Sequence, residues 1–258
     1  MHMSRIGTEY FYQVGDDSEM SEEFRFTQPA PTFPYSIVTC ADEGQSTTDG
    51  AAIIEDFPPA PQTMRRTLAA IENANAQLVI HHGDISYARG YAADWDIFAA
   101  MNAKVFSQVP YAVALGNHEA DWPDTSSSFS SKDSGGECSI PTQLQYPMPQ
   151  PGLNKPFFYF VSGPAFVLLF STEHDFMKGS EQYNYIQKAL TSVDRSVTPW
   201  VIVAGHRPMY IDSTNNNTDI GDLPVAEELQ KEIEPLLLDA GGAAVDITLW
   251  GHHHSYQR

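Results

Sequence analysis

Two periodicities alternate along this chain. Continuous apolar runs of strand length, bounded by turn residues, occur at 35–42 (YSIVTCAD), 77–84 (QLVIHHGD), 110–119 (PYAVALGNHE), 157–163, 165–174, 199–206 (PWVIVAGH) and 245–254 (VDITLWGHHH). Such runs are what a sheet buried on both faces requires. Between them, apolar residues recur three and four apart, as Met64, Leu68 and Ile71 do within 62–76. That spacing puts one stripe on one helical face and predicts helices over 62–76, 94–108, 180–193 and 224–240. The stretch 121–155 is rich in Ser, Asp, Gly and Pro and reads as a long polar loop. Strand–helix alternation predicts an α/β architecture around a largely buried sheet, with 157–163 and 165–174 paired.

The first residues follow another pattern. Aromatic alternation in 8–27, broken by Gly-Asp-Asp-Ser, predicts a short hairpin, and the Pro-rich 28–34 reads as a linker. A lone hairpin is marginal in water, so it is expected to be the end of a preceding β-domain. Residues 1–29 are thus assigned to the end of that domain and the linker, and 30–258 to the main domain.

Charge narrows the partners. The net charge is −19, from 14 Lys+Arg against 33 Asp+Glu. Nucleic acid and anionic membrane surfaces call for basic patches, so neither is expected as a partner. No apolar run has the roughly 18 residues a membrane span needs. Cys40 and Cys138 permit one disulfide or two free thiols. Asn216-Asn217-Thr218 is an acceptor sequon for N-glycosylation.

The chemistry gathers at strand ends. Apart from the 157–174 pair, each strand of the α/β pattern runs into metal-ligand residue types: Asp42; Asp84 with Tyr87 three further on; Asn117 and His118; His206; His252 and His254. In α/β sheets the carboxyl ends of strands are where sites are built. A single histidine there is more often structural than functional, but so many such endings in one chain are hard to assign to chance. If the last segment stays extended, His252 and His254 share a face and His253 points away. His81, His82 and His174 read as packing or supporting residues. One structural zinc needs four ligands, whereas two ions sharing a bridging carboxylate would use Asp42, Asp84, Tyr87, Asn117, His206, His252 and His254. Two cations would also let so acidic a chain bind phosphate.

These motifs resemble the purple acid phosphatases of the calcineurin-like metallophosphoesterase superfamily. Asp42-Glu43-Gly44, GDISY (83–87), GNHE (116–119), VAGH (203–206) and GHHH (251–254) stand in that family's order, over about residues 33–258. The resemblance implies a metallophosphoesterase β-sandwich flanked by helices, preceded by the remnant of a fibronectin-like domain and lacking its C-terminal part. It implies that Asp42, Tyr87 and His254 hold Fe(III), that Asn117, His206 and His252 hold a divalent Zn, Mn or Fe, and that Asp84 bridges. It further implies hydrolysis of small phosphate monoesters by a metal-bound hydroxide, with His118 facing the substrate as proton donor, in a secreted or vacuolar/lysosomal glycoprotein. Gly44 stands where related phosphatases carry a histidine, and Tyr87 supplies the missing donor. Two departures are visible: Glu43 adds a negative charge beside Asp42, and no histidine lies between His206 and His252. A phosphodiesterase or nucleotide pyrophosphatase on the same scaffold, and a non-catalytic fragment, are the alternatives.

Overall fold

The computed structural model describes residues 7–45, 60–214, 221–238 and 244–257. Two parallel-strand layers form its centre. The first sheet has the order β3(Ile37–Cys40)–β4(Leu78–His82)–β5(Tyr111–Ala114), all parallel. The second has the order β6(Phe158–Ser162)–β7(Ala165–Leu169)–β8(Trp200–Ala204)–β9(Ile247–Leu249), where only β6 and β7 run antiparallel. The expected hairpin is present as β1(Glu9–Tyr12) paired antiparallel with β2(Phe24–Thr27).

The sheets face each other. Leu78, Ile80, Ala112 and Ala114 from the first meet Phe158, Val167, Leu169 and Ile202 from the second in one buried cluster. Their outer faces are covered by helices, because a strand buried on one side only would expose its other apolar row. Val79 packs with Ile71 of α1(Ala60–Ala74) and Val105 of α2(Ala92–Phe106). Phe166, Leu168, Val201 and Val203 pack with Ile186 and Leu190 of α5(Glu181–Thr191) and Leu229 of α6(Asp222–Glu232). The result is a helix–sheet–sheet–helix sandwich, as the resemblance implied. No helix among the described residues is long and apolar enough to cross a membrane.

Some expectations shift. Asn117–Ala120 is not the end of a strand but a short helix, α3, and Ile140–Gln145 forms α4 inside the expected loop. The single helix over 224–240 is two, α6 and α7(Glu234–Leu238), split at Ile233 just before Pro235, whose ring cannot sit in a helix interior. The Asn216 sequon lies outside the described residues.

Candidate metal centre

The expected donors come from both sheets and meet above one end of the sandwich. Asp42 follows β3, Asp84 and Tyr87 follow β4, and Asn117 opens α3 after β5. His206 follows β8, and His252 and His254 follow β9. Four of them, Asp42, Asp84, Tyr87 and His252, sit at positive φ of 54°, 50°, 52° and 70°. Left-handed backbone at non-glycine residues is uncommon and gathers where function demands it. Gly83 has φ +99°, and a Cβ there would lie 2.4 Å from His206 Nδ1. Only glycine lets the β4 turn lie against that ring.

The donors divide into two groups. In the first, Tyr87 Oη lies 3.3 Å from Asp42 Oδ1 and 3.0 Å from His254 Nε2, and His254 Nε2 lies 3.2 Å from Asp42 Oδ1. In the second, Asn117 Oδ1 lies 3.1 Å from His206 Nε2 and 2.9 Å from His252 Nδ1. Asp84 stands between them. Its Oδ2 is 3.3 Å from Tyr87 Oη and 3.1 Å from His206 Nε2. Its Oδ1 accepts the backbone N–H of His118 at 2.9 Å, so a single oxygen is left facing both groups.

This set fits metal ions. Neighbouring donors 2.9–3.3 Å apart match the edges of a polyhedron whose donors stand about 2.0–2.2 Å from an ion. The ligating atoms of Asp84, His206 and His252 alone lie within 4.8 Å of one another. The first group is richer in hard oxygen and the second in imidazole and amide donors, chemistry that suits different ions. The charges agree. Burial and the facing carboxylates of Asp84 and Asp42 push the Tyr87 phenol far up, so a cation is what would favour its phenolate. Burial works against a charge on His206, yet Asp84 and Asp42 push it up to about 10.

His118 is buried beside the first group. Its ring sits 4.2 Å, centroid to centroid, from that of Tyr87, and its Nε2 is 4.0 Å from Asp84 Oδ2. His253 turns away, with Nδ1 2.9 Å from Ser255 Oγ. The reason differs from the one expected. The chain after Leu249 is not extended, and the left-handed turn at His252 aims that ring at the second group while His254 reaches the first. Glu43, beside Asp42, is buried and accepts from Asn102 Nδ2 at 3.2 Å, and burial pushes it up to about 7. Cys40 and Cys138 are free thiols.

A supporting layer was not expected. Glu119 accepts the N–H groups of Asp84 at 2.9 Å, Ile85 at 2.8 Å and Gly116 at 2.9 Å, tying the β4 and β5 turns together. Buried Arg207 reaches Asp121 Oδ2 at 2.9 Å and Glu173 Oε2 at 2.8 Å, and its Nη1 lies 3.4 Å from His252 Nε2. Burial, then Glu173, pushes Asp121 up to about 9, whereas Arg207 holds Glu173 low in spite of its burial. Glu173 extends the strand pair that seemed to contribute nothing. Asp222 Oδ1 stands 3.4 Å from His252 Nε2, and the His206 Nδ1 position is met by the His82 carbonyl at 3.1 Å.

Two sheets whose strand ends present two donor groups around a shared carboxylate define a metallophosphoesterase architecture. The chain matches the Calcineurin-like phosphoesterase family over residues 42–256. It is 34% identical over 285 residues to "Probable inactive purple acid phosphatase 9" of Arabidopsis thaliana, covering 98% of this chain and 41% of that protein. It is 36% identical over 243 residues to a "Nucleotide pyrophosphatase/phosphodiesterase" of Hordeum vulgare, covering 90% and 63%. Among solved structures, the purple acid phosphatase PPD1 from yellow lupin (Lupinus luteus) seeds superposes with a TM-score of 0.80 at 31% identity, over 97% of this chain and 44% of that one. The chain therefore belongs to the calcineurin-like phosphoesterase family, among relatives named purple acid phosphatases. It spans 41% of the length of the Arabidopsis relative and 63% of the barley one.

Proposed function

We propose that this protein hydrolyses phosphate monoesters at acid pH, using a dinuclear Fe(III)–M(II) centre in which M is zinc, manganese or iron. One observation carries the reading: Asp84 Oδ2 lies between two donor groups of different chemistry. Asp42, Tyr87 and His254 with Asp84 would hold Fe(III), and Asn117, His206 and His252 with Asp84 the divalent ion. When bound, the ions supply positive charge for the phosphate and acidify a water for attack. The chain's own residues orient the reaction. His118, buried beside Tyr87, would hand a proton from its ring to the leaving oxygen. The neighbouring cleft of 510 Å³ is bordered by Asp42, His254, Tyr210, Trp250 and Tyr256, and among the described residues neither lysine nor arginine lines it. Ions held by the donors would supply charge for an anionic ester on that side. Although some relatives are named as inactive, each of the donors is present here and they converge, which supports activity in this chain. A secreted or vacuolar location belongs to the same reading.

The barley relative's name and the aromatic cleft wall favour a second reading, hydrolysis of a nucleotide phosphodiester or pyrophosphate. Metal analysis of the purified protein, with turnover of mono-aryl against bis-aryl phosphate at acid pH, separates the readings. The expected result is one iron and one divalent ion per chain with the monoester hydrolysed faster. Faster turnover of the diester would favour the second reading. A metal-free, inert protein would refute both and leave a non-catalytic fragment.

A further inference from the structure

The amide of Asn117 can present either its oxygen or its NH₂ to the second donor group, and only the oxygen has a lone pair for an ion. Its Nδ2 donates to Asp133 Oδ2 at 3.0 Å. A carboxylate only accepts, so the NH₂ is the end that must face Asp133. The oxygen is thereby turned toward His206 Nε2 and His252 Nδ1, at 3.1 and 2.9 Å. We infer that Asp133 is a positioning residue that locks the Asn117 amide with its oxygen inward and so sets the second group's affinity for a divalent ion. The inference rests on the metal-centre reading above.

Asp133 is itself held. Ser131 Oγ donates to the same Oδ2 at 2.7 Å and reaches Asp121 Oδ2 at 3.2 Å. The next residue, Ser134, donates through Oγ to the Asp121 carbonyl at 2.9 Å. Beyond it, Gly135 lies so close to the β4 turn that a Cβ there would stand 2.0 Å from the Arg89 carbonyl oxygen. Asn117 therefore differs from His206, whose orientation comes from a main-chain carbonyl on β4. Its orientation depends on one side chain, brought by the polar loop that follows α3.

Partners of this kind change metal affinity by about 10–100-fold when removed. The test is calorimetric titration of Zn²⁺ into the purified, iron-loaded protein, with folding checked by circular dichroism. D133A should bind Zn²⁺ about 10–100-fold more weakly. D133N, which keeps an oxygen acceptor for the Asn117 NH₂, should return affinity toward wild type. In an N117D background the ligand has two oxygens and needs no lock, so adding D133A should no longer weaken binding. Wild-type affinity in D133A, or D133N as weak as D133A, would overturn the inference while leaving the metal reading intact. A wild-type protein that holds neither iron nor Zn²⁺ would overturn both.

Discussion

Replacing Gly83 by alanine places a methyl group where the His206 ring already stands. The new Cβ would lie 2.4 Å from Nδ1 and 2.6 Å from Cγ, at a backbone φ of +99°. Gly179 is a natural control: its φ is +96°, yet nothing lies within 4 Å of its would-be Cβ. G179A therefore carries only the cost of left-handed backbone, about 1–2 kcal/mol. G83A carries that cost and overpacking, about 1–3 kcal/mol by itself. Moving the ring also disturbs the His206 Nδ1 contact with the His82 carbonyl, a buried hydrogen bond of about 1 kcal/mol. G83A should thus lose about 3–6 kcal/mol in urea unfolding, and G179A no more than about 2. Fluorescence and circular dichroism transitions should coincide if a single free energy is to be read. Equal destabilisation by the two substitutions would refute the reasoning, because it would show that the β4 turn yields around His206 at no cost.

Tyr87→Phe should abolish any visible charge-transfer band of the iron-loaded protein, read by absorption; an unchanged band would remove Tyr87 from the iron. His118→Ala should retain both ions and lower kcat by about 10²–10⁴-fold for esters with poor leaving groups, and less for activated aryl esters. A uniform loss, or loss of an ion, would point to another role. His174, held between Ser171 and Ser126, is pushed by burial down to about 4. It favours the fold while neutral, so its contribution is complete above about pH 6.5 and is lost as the pH falls toward 4, each tenfold change in proton affinity being worth about 1.4 kcal/mol. His174→Gln should flatten that part of the stability curve in urea titrations between pH 7.5 and 4.5, and parallel curves would count against it.

The donors were legible because each follows an apolar run, and a strand's end is visible in one dimension. Asp42, Asp84, Asn117, His206 and His252 could be placed near one another from the strand pattern alone, since parallel strands deliver their carboxyl ends to the same side. The supporting residues had no such signal. Glu119 looks like one more helix-forming carboxylate until the turns it ties are known, and Asp133 is one aspartate among many polar loop residues. Arg207, Asp121 and Glu173 lie far apart in sequence, and only their shared burial shows that they belong together. Alternation turned His253 away, as the structure does, but from a wrong premise: a left-handed turn rather than an extended strand sends His252 and His254 to different groups. The short helix at Asn117 was hidden because four residues, Asn-His-Glu-Ala, are too few to carry a helical period of their own directly after β5.

Neither sheet holds a complete donor group. Asp42 and Tyr87 leave the first sheet and meet His254 from the second; Asn117 leaves the first and meets His206 and His252 from the second. The seam between the two layers therefore runs through both groups. Sliding one layer against the other would open each group at once, and any ion held there acts as a rivet across the sandwich. Affinity for ions and cohesion of the two halves become one quantity read in two ways. If the polypeptide were divided in the connection between α4 and β6, each piece would carry donors without a site, and rejoining would be reported by the ions themselves.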